Sequence, residues 1–251
     1  MLSKESSMPE LRTLITGISF GEQPRWHEGR LWFSDWGSRE VIAVDLEGNS
    51  EVILRAPSFP CCVDWLPDGR LLLVSARDGL LLRREPDGTL GTYGDLSRAC
   101  KPPAGNELVV DGRGNAYVGG GFDLMAGDPF APGIVALVTP DGLARQVARP
   151  RIPIWADLGD GVPDGICLDA EGAVWYADVP NKRSVRVREG GEVLQRIELD
   201  RGCFACALGG SDRSTLFMVA TEWNGPAGMF AEPCTGQVLT VEAPAPGVGW
   251  P

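Results

Sequence analysis

Three side chains with oxygen ligand atoms occupy equivalent positions in three repeated stretches of the sequence. They are Glu22 in "FGEQPRW", Asn106 in "AGNELVV" and Asp164 in "VPDGICL". Carboxylate and carboxamide oxygens are hard ligands that suit Ca²⁺, Mg²⁺ or Mn²⁺. A shared ion would offset the repulsion and the desolvation of two converging carboxylates. The pattern therefore predicts one divalent cation, with Ca²⁺ as the expected ion and Mg²⁺, Mn²⁺ or Zn²⁺ as alternatives.

Each of these residues, taken alone, also has a local explanation. Asp164 lies between Pro163 and Gly165, and Pro-Asp-Gly is a common turn tripeptide. Asp and Asn are ordinary residues where a turn leads into a strand. The metal-site interpretation depends on the three positions facing a common axis, which is a property of the predicted fold.

The fold is predicted from an internal repeat. Each repeat contains an apolar run, a turn and a second apolar run, as in "ICLDAEGAVWYAD". The turn residues are separated by 40, 45, 58 and 40 positions, and they are Gly29, Gly69, Gly114, Gly172 and Asp212. A second hairpin with a central glycine follows in each of the first four repeats. Four short strands recurring at this period are typical of a β-propeller, whose innermost strands line a central channel.

Both ends of the chain are predicted to contribute to the last blade. The fifth repeat contains only three clear strands, at 203–208, 215–220 and 237–242. Residues 11–17 form an additional strand that has no partner in the first repeat. Pairing of this strand with the fifth repeat would seal the ring and remove an exposed sheet edge. We expect residues 1–10 to be a flexible N-terminus and residues 11–251 to form a single domain.

The interval between Gly114 and Gly172 leaves two arrangements of the ring open. It is longer than the other intervals but too short for a further complete blade. Residues 152–158 resemble the outer strand of a blade whose three inner strands are absent. The ring is therefore predicted to hold five full repeats. Either it closes as a five-bladed ring, or it keeps the plan of a six-bladed ring in which the fourth blade is missing.

Composition restricts the partners and the compartment. The net charge of −11 argues against nucleic acid and anionic membranes as partners. No apolar run reaches the about 18 residues of a membrane span, and the N-terminal stretch lacks the apolar segment of a secretory signal. The seven cysteines are irregularly spaced, which together with the missing signal predicts free thiols and a cytoplasmic location.

Two further motifs are assigned no chemistry. The lone C-x-x-C formed by Cys203 and Cys206 lacks the helix start or second pair of a redox or zinc site. We interpret these cysteines as buried small residues. The single histidine, His27, is expected to be exposed in the first turn, which excludes a His-rich zinc site and disfavours a Ser-His-Asp triad.

Three longer motifs resemble the regucalcin/gluconolactonase family. They are "GE-x-P-x-W", "NELVVDxxGNAYV" and "PDGICLDAEGAVWYAD", and the resemblance covers about residues 15–250. It implies a six-bladed propeller with one divalent metal in the channel and hydrolysis of sugar lactones or related esters. It also implies that Glu22 and Asp164 are metal ligands and that Asn106 is a ligand or a substrate contact. Some relatives in this family cleave organophosphates.

One feature of that family is missing. Its members carry another metal-binding asparagine, in a Pro-Asn-Gly context at the start of the fourth blade, and this sequence has no such tripeptide. We therefore expect weaker metal binding than in complete family members.

The expected activity is hydrolysis of a small lactone substrate. The metal would polarise the lactone carbonyl, and Asp164 would accept a proton from the attacking water. Lys101 would pair with a negative group of the substrate, or else be a solvated loop lysine. Phe122 lies in the 119–132 loop, the candidate lid of the channel. The alternatives are a non-catalytic propeller scaffold and an organophosphate hydrolase that uses the same site.

Overall fold

The chain forms an all-β structure, as predicted. The structure is a computed structural model that describes residues 10–59, 61–99, 105, 107–120, 133–147 and 154–249. Within these ranges it contains twenty β-strands and two single-turn 3₁₀ helices, Leu96–Arg98 and Pro226–Gly228. No helix in this part of the chain is long and apolar enough to cross a membrane.

The strands form five antiparallel four-stranded sheets, which we number as blades. Blade 1 consists of β2 (Gly21–His27), β3 (Arg30–Asp35), β4 (Glu40–Val44) and β5 (Ser50–Arg55). Blade 2 consists of β6 (Cys61–Trp65), β7 (Leu71–Ser75), β8 (Leu80–Arg84) and β9 (Leu90–Asp95). Blade 3 consists of β10 (Glu107–Val110), β11 (Ala116–Gly120), β12 (Ile134–Val138) and β13 (Ala144–Gln146).

The last two blades complete the ring. Blade 4 consists of β14 (Pro163–Leu168), β15 (Val174–Asp178), β16 (Arg183–Val187) and β17 (Val193–Glu198). Blade 5 consists of β18 (Gly202–Gly209), β19 (Thr215–Thr221), β20 (Gly236–Glu242) and the N-terminal strand β1 (Arg12–Ile18). In blade 5, β1 pairs with β20 at the outer edge. The predicted closure of the last blade by both ends of the chain is confirmed.

The turn glycines that define the repeats have a left-handed backbone conformation. Gly29, Gly69, Gly114 and Gly172 have φ angles of 75°, 84°, 80° and 76°. A side chain would be strained at these angles, which explains why glycine recurs there. In blade 5, Arg213 takes the left-handed conformation at the corresponding turn, with φ of 62°.

Most blades are buried on both faces because each lies between two others. Every residue of β6 and β7 is buried, for example. The buried residues form four cores, each shared by two blades, which join blade 4 to 5, 5 to 1, 1 to 2 and 2 to 3. Trp175 and Leu216 belong to the core between blades 4 and 5, whereas Leu72 and Leu108 belong to the core between blades 2 and 3.

Between blades 3 and 4 the described residues leave a gap in the ring. Among the described residues these two blades share no buried core, and the inner strand of each has one open face. In β10, Leu108 and Val110 are fully buried, whereas Val109 is 38% exposed. In β14, Ile166 is 61% exposed and Leu168 is 44% exposed. Of the two predicted arrangements, the incomplete ring is the one that the described residues form.

A segment without regular secondary structure covers the face of blade 4 that turns towards this gap. We name residues 154–161 the strap. Within it, Ala156 and Leu158 pack against a cluster of three buried side chains of blade 4, namely Tyr176, Val185 and Val187. The prediction of a strand at 152–158 is wrong for its described part, because the strap lies against the blade through side chains and forms no ladder with it.

Polar contacts fix both ends of the strap. At one end, the Gly190 N–H donates to the Trp155 carbonyl at 2.9 Å. At the other end, Arg183 donates to Asp160 at 3.0 Å and to the fully buried Asp178 at 2.9 Å. The strap therefore replaces, for blade 4, the cover that a neighbouring blade provides elsewhere in the ring.

The role of the strap is tested by Leu158→Ala. Removing this partly buried side chain uncovers the cluster on blade 4, so we expect the free energy of unfolding to fall by about 1–3 kcal/mol. Urea-induced unfolding measures the loss. Leu143→Ala is the matched control, because Leu143 is 55% exposed. Equal losses in the two variants would show that the strap does not stabilise blade 4.

Candidate functional site

Three carboxyl groups from different blades meet at one mouth of the channel. Glu22 lies near the start of β2, Glu107 at the start of β10 and Asp164 near the start of β14. The charge of Glu22 interacts with those of Asp164 and Glu107, and the charge of Asp164 also interacts with that of Glu107. Glu22 is buried, whereas Asp164 is open to solvent.

Irregularities in the inner strands position these side chains. The pairing of β2 with β3 shifts register between Glu22 and Arg25, and the pairing of β14 with β15 shifts between Pro163 and Ile166. A bulge re-aims the side chains beside it, and bulges are frequent next to functional sites. In the first of them, Gln23 adopts a left-handed conformation with φ of 48°, which is uncommon for a residue with a side chain.

Desolvation raises the pKa values of all three carboxyl groups, and repulsion from neighbouring carboxylates raises those of Glu22 and Asp164 further. Desolvation raises the pKa of Glu22 well above its ordinary value, and the charges of Asp164 and Glu107 raise it further. Desolvation, followed by the charge of Glu107, raises the pKa of Asp164 to about 7. Desolvation also raises the pKa of Glu107, although the charge of Arg25 and a hydrogen bond from Gln23 oppose this effect. Without a cation, the cluster therefore retains protons near neutral pH.

Hydrogen bonds from blade 1 to blade 3 hold the cluster together. The Gln23 Nε2 atom donates to Glu107 Oε2 at 3.2 Å and to the Leu108 carbonyl at 2.9 Å. The Arg25 Nη2 atom donates to the same carbonyl at 3.1 Å. Because these blades are not neighbours in the ring, the bonds connect β2 directly to β10. They restrict the distance between the Glu22 and Glu107 side chains.

The other side of the mouth is apolar. Blades 2 and 5 place the buried residues Cys62 and Phe204 where blade 1 has Glu22. The Phe204 ring packs edge-on against Phe20, with centroids 4.6 Å apart, and against Trp223, with centroids 5.5 Å apart. Phe20 and Phe204 belong to the core centred on blades 1 and 2, and Trp223 packs against that core.

The structure brings together two of the residues predicted for the site, Glu22 and Asp164. The other three, Lys101, Asn106 and Phe122, lie outside the described residues, and so does most of the predicted 119–132 lid. Sequence reasoning did not select Glu107 as a site residue. The available signal was its position directly after Asn106 in the shared register.

His27 lies at the opposite end of β2 from Glu22. Its ring stacks on Trp65 with centroids 3.9 Å apart, and its side chain is only 23% exposed. Desolvation lowers the pKa of this imidazole. The prediction of an exposed turn histidine is wrong, because Trp65 of the neighbouring blade covers the ring.

The donor atoms of the cluster suit a hard divalent cation. Glu22 and Asp164 provide carboxylate oxygens, and the buried Gln23 Oε1 has no hydrogen-bond partner. Among the described residues, however, no three His, Cys, Asp or Glu side chains are arranged to hold one ion. A cation here would therefore bind to Glu22 and Asp164 with further oxygen ligands such as the amide of Gln23.

Comparison with known proteins identifies the family. The family model described as "SMP-30/Gluconolactonase/LRE-like region" matches residues 20–149 and 143–222. This chain belongs to that family. The resemblance inferred from the sequence motifs is confirmed.

Curated relatives match shorter segments. A 6-deoxy-6-sulfogluconolactonase of Pseudomonas putida is 33% identical over 93 residues, which are 36% of this chain and 32% of that protein. Regucalcin of Sus scrofa is 32% identical over 84 residues, which are 32% of this chain and 28% of that protein. The matched segments thus span about a third of the length of these relatives.

Solved structures match over nearly the whole chain. A luciferin-regenerating enzyme has a TM-score of 0.75 at 15% identity, covering 97% of this chain and 98% of the other. A calcium-binding regucalcin of Agrobacterium tumefaciens has a TM-score of 0.72 at 19% identity, covering 96% and 97%. At these identities the shared property is the propeller fold.

The raised pKa values predict how stability depends on pH in protein stripped of metal with a chelator. For Asp164, the folded pKa of about 7 lies above the ordinary 3.8, so the folded state binds the proton more tightly. Its contribution to stability is fully present below about pH 4 and is lost as the pH rises through about 7. We expect the melting temperature to decrease as the pH rises from about 4 to about 7. Thermal unfolding at a series of pH values measures this decrease.

Glu107→Gln provides the comparison for this measurement. It removes a charge that raises the pKa values of Glu22 and Asp164, so the decline with pH becomes shallower. Glu189→Gln, at an exposed turn position, is the control and keeps the full decline. A melting temperature that rises over the same interval in the metal-free protein would contradict this account of the cluster.

Proposed function

We propose that this protein is a lactonase-type hydrolase whose reaction takes place at the carboxylate cluster. The observation that carries the proposal is the position of Asp164, which is open to the channel and has its pKa raised to about 7 beside Glu22 and Glu107. A carboxyl group with a pKa near the working pH can accept and return a proton within one reaction cycle. Membership of the gluconolactonase-like family supports this choice of chemistry.

Asp164 is the proposed general base. Its carboxylate accepts a proton from a water molecule in the channel while the oxygen of that water attacks the lactone carbonyl carbon. Desolvation and, after it, the charge of Glu107 keep the pKa of Asp164 high, and Gln23 holds Glu107 in place through the hydrogen bond to Oε2.

Glu22 and Asp164 would hold a divalent cation, for which Ca²⁺ is the expected ion. When bound, such an ion would supply Lewis-acid polarisation of the lactone carbonyl. The Gln23 Oε1 atom would gain the partner that it lacks. The predicted ligand Asn106 stays part of this proposal, as do Lys101 and Phe122 as substrate contacts.

The choice of a lactone as substrate is supported by relatives. The Pseudomonas putida relative is named as a lactonase that acts on a sulfonated gluconolactone, and it is 33% identical over the matched segment. A lactone is an activated cyclic ester, so its hydrolysis requires a positioned water and stabilisation of one developing oxyanion. A cluster with a titrating carboxyl group and a place for a cation can provide both.

Acid release from a panel of lactones, including D-glucono-δ-lactone, tests the proposal. The protein is first treated with a chelator, and Ca²⁺, Mg²⁺, Mn²⁺ or Zn²⁺ is then added to separate samples. We expect Asp164→Asn to lower kcat/KM by about 10²–10⁴-fold, because it removes the proton acceptor. Asp87→Asn, an exposed turn variant in blade 2, keeps wild-type activity.

Two results would contradict the proposal. The first is an Asp164→Asn variant that is as active as Asp87→Asn, which would show that Asp164 is not the general base. The second is an absence of turnover with every lactone and every ion, which would favour the non-catalytic scaffold. A thermal-shift titration with each ion distinguishes a scaffold that binds metal from one that does not.

A further inference from the structure

Two thiols face each other across the boundary between blades 4 and 5. Cys167 lies in β14 and Cys206 in β18, and their sulfur atoms are 3.8 Å apart. The two residues are 39 positions apart in the sequence, and their strands are the inner strands of neighbouring blades. In the sequence Cys206 shares a C-x-x-C motif with Cys203, whereas in the fold its sulfur lies beside that of Cys167.

The strands approach closely at this point because one of them carries a glycine. A Cβ atom on Gly165 would lie 2.7 Å from the Ala205 Cα, so a larger residue would push the strands apart. The Cys206 sulfur also lies 3.5 Å from the Gly165 carbonyl oxygen. A disulfide requires a sulfur–sulfur distance of about 2 Å, so the two atoms need to approach by about 1.8 Å.

The pair is accessible from the second mouth of the channel. A cavity of about 870 Å³ opens there, and both Cys167 and Cys206 line it together with Leu208 and His27. Cys167 is partly exposed, whereas Cys206 is only 2% exposed. A small oxidant that enters this cavity therefore meets Cys167 first.

We propose that Cys167 and Cys206 are a modification site at which hydrogen peroxide forms a disulfide that joins blade 4 to blade 5. In the first step the Cys167 sulfur attacks one peroxide oxygen, the O–O bond breaks, and sulfenic acid and water form. In the second step the Cys206 sulfur attacks the sulfenic sulfur, the S–O bond breaks, and a second water leaves. Two thiols are oxidised and one peroxide is reduced.

The effect of this disulfide on stability follows from the gap between blades 3 and 4. Blade 4 has only one neighbouring blade, so its attachment depends on the core that it shares with blade 5. A disulfide would add a covalent link between these blades. The link would also restrict β14, the strand that carries Asp164 three residues before Cys167.

The reaction is slow at neutral pH. A hydrogen bond with Cys206, together with desolvation, raises the pKa of the Cys167 thiol, and the thiolate is the reactive form. The experiment is therefore carried out at mildly alkaline pH. The full-length protein is reduced, freed of reductant and treated with a small excess of hydrogen peroxide.

Peptide mass mapping without reduction identifies the product. We expect a cross-linked pair of peptides that contain Cys167 and Cys206, and a melting temperature raised by about 5 °C. Reductant reverses both changes. Cys167→Ala and Cys206→Ala prevent both changes, whereas Cys234→Ser, which alters a partly exposed cysteine, leaves them intact.

Three results would overturn the proposal. They are stable oxygenated forms of Cys167 without a cross-link, a cross-link of either residue to Cys203 or to a second molecule, and cross-linking without a change in melting temperature. If the alanine variants fold poorly, wild-type protein blocked with N-ethylmaleimide before peroxide treatment takes their place. A rise in the melting temperature of the blocked protein after peroxide treatment would also contradict the proposal.

Discussion

The electrostatic repulsion among three carboxyl groups on three different blades is the constraint on which the site depends. Like charges repel, and burial disfavours their ionised forms, so this arrangement persists only because other contacts hold the strands in place. Gln23 and Arg25 provide those contacts by donating from blade 1 to blade 3 across the channel. Desolvation and the same repulsion, both of which cost stability, raise the pKa of Asp164 to about 7, the range that the proposed proton transfer requires.

The gap between blades 3 and 4 changes how the ring is stabilised. A closed propeller covers every blade on both faces, whereas here four shared cores join five blades. The strap covers the free face of blade 4 with Ala156 and Leu158. Asp164 lies on this end blade, and the exposed Ile166 follows it in the same strand. Solvent therefore reaches the inner strand that carries the proposed base.

Much of the fold could be predicted from the sequence because its signals are local. Turn glycines with positive φ and strands with continuous apolar runs identified the blades, and the unpaired strand at 11–17 identified the closure. The strap could not be predicted, since "IWADL" at its start has the composition of a strand, and only the lack of a pairing strand among the described residues makes it irregular. Register also placed Glu22 and Asp164 near the starts of inner strands, as the structure has them, whereas it did not single out Glu107, whose charge interacts with both.

The order of the blades around the open ring is 4, 5, 1, 2 and 3, which has an unusual consequence for local unfolding. Blade 5 contains the first and the last of the described strands, β1 and β20, yet it lies between two neighbours. The blades with one neighbour, 3 and 4, come from the middle of the sequence. In an array stabilised by nearest-neighbour interfaces, fraying begins at the units with fewest interfaces. Amide hydrogens in the central strands of blades 3 and 4 would therefore exchange before those in the central strands of blade 5.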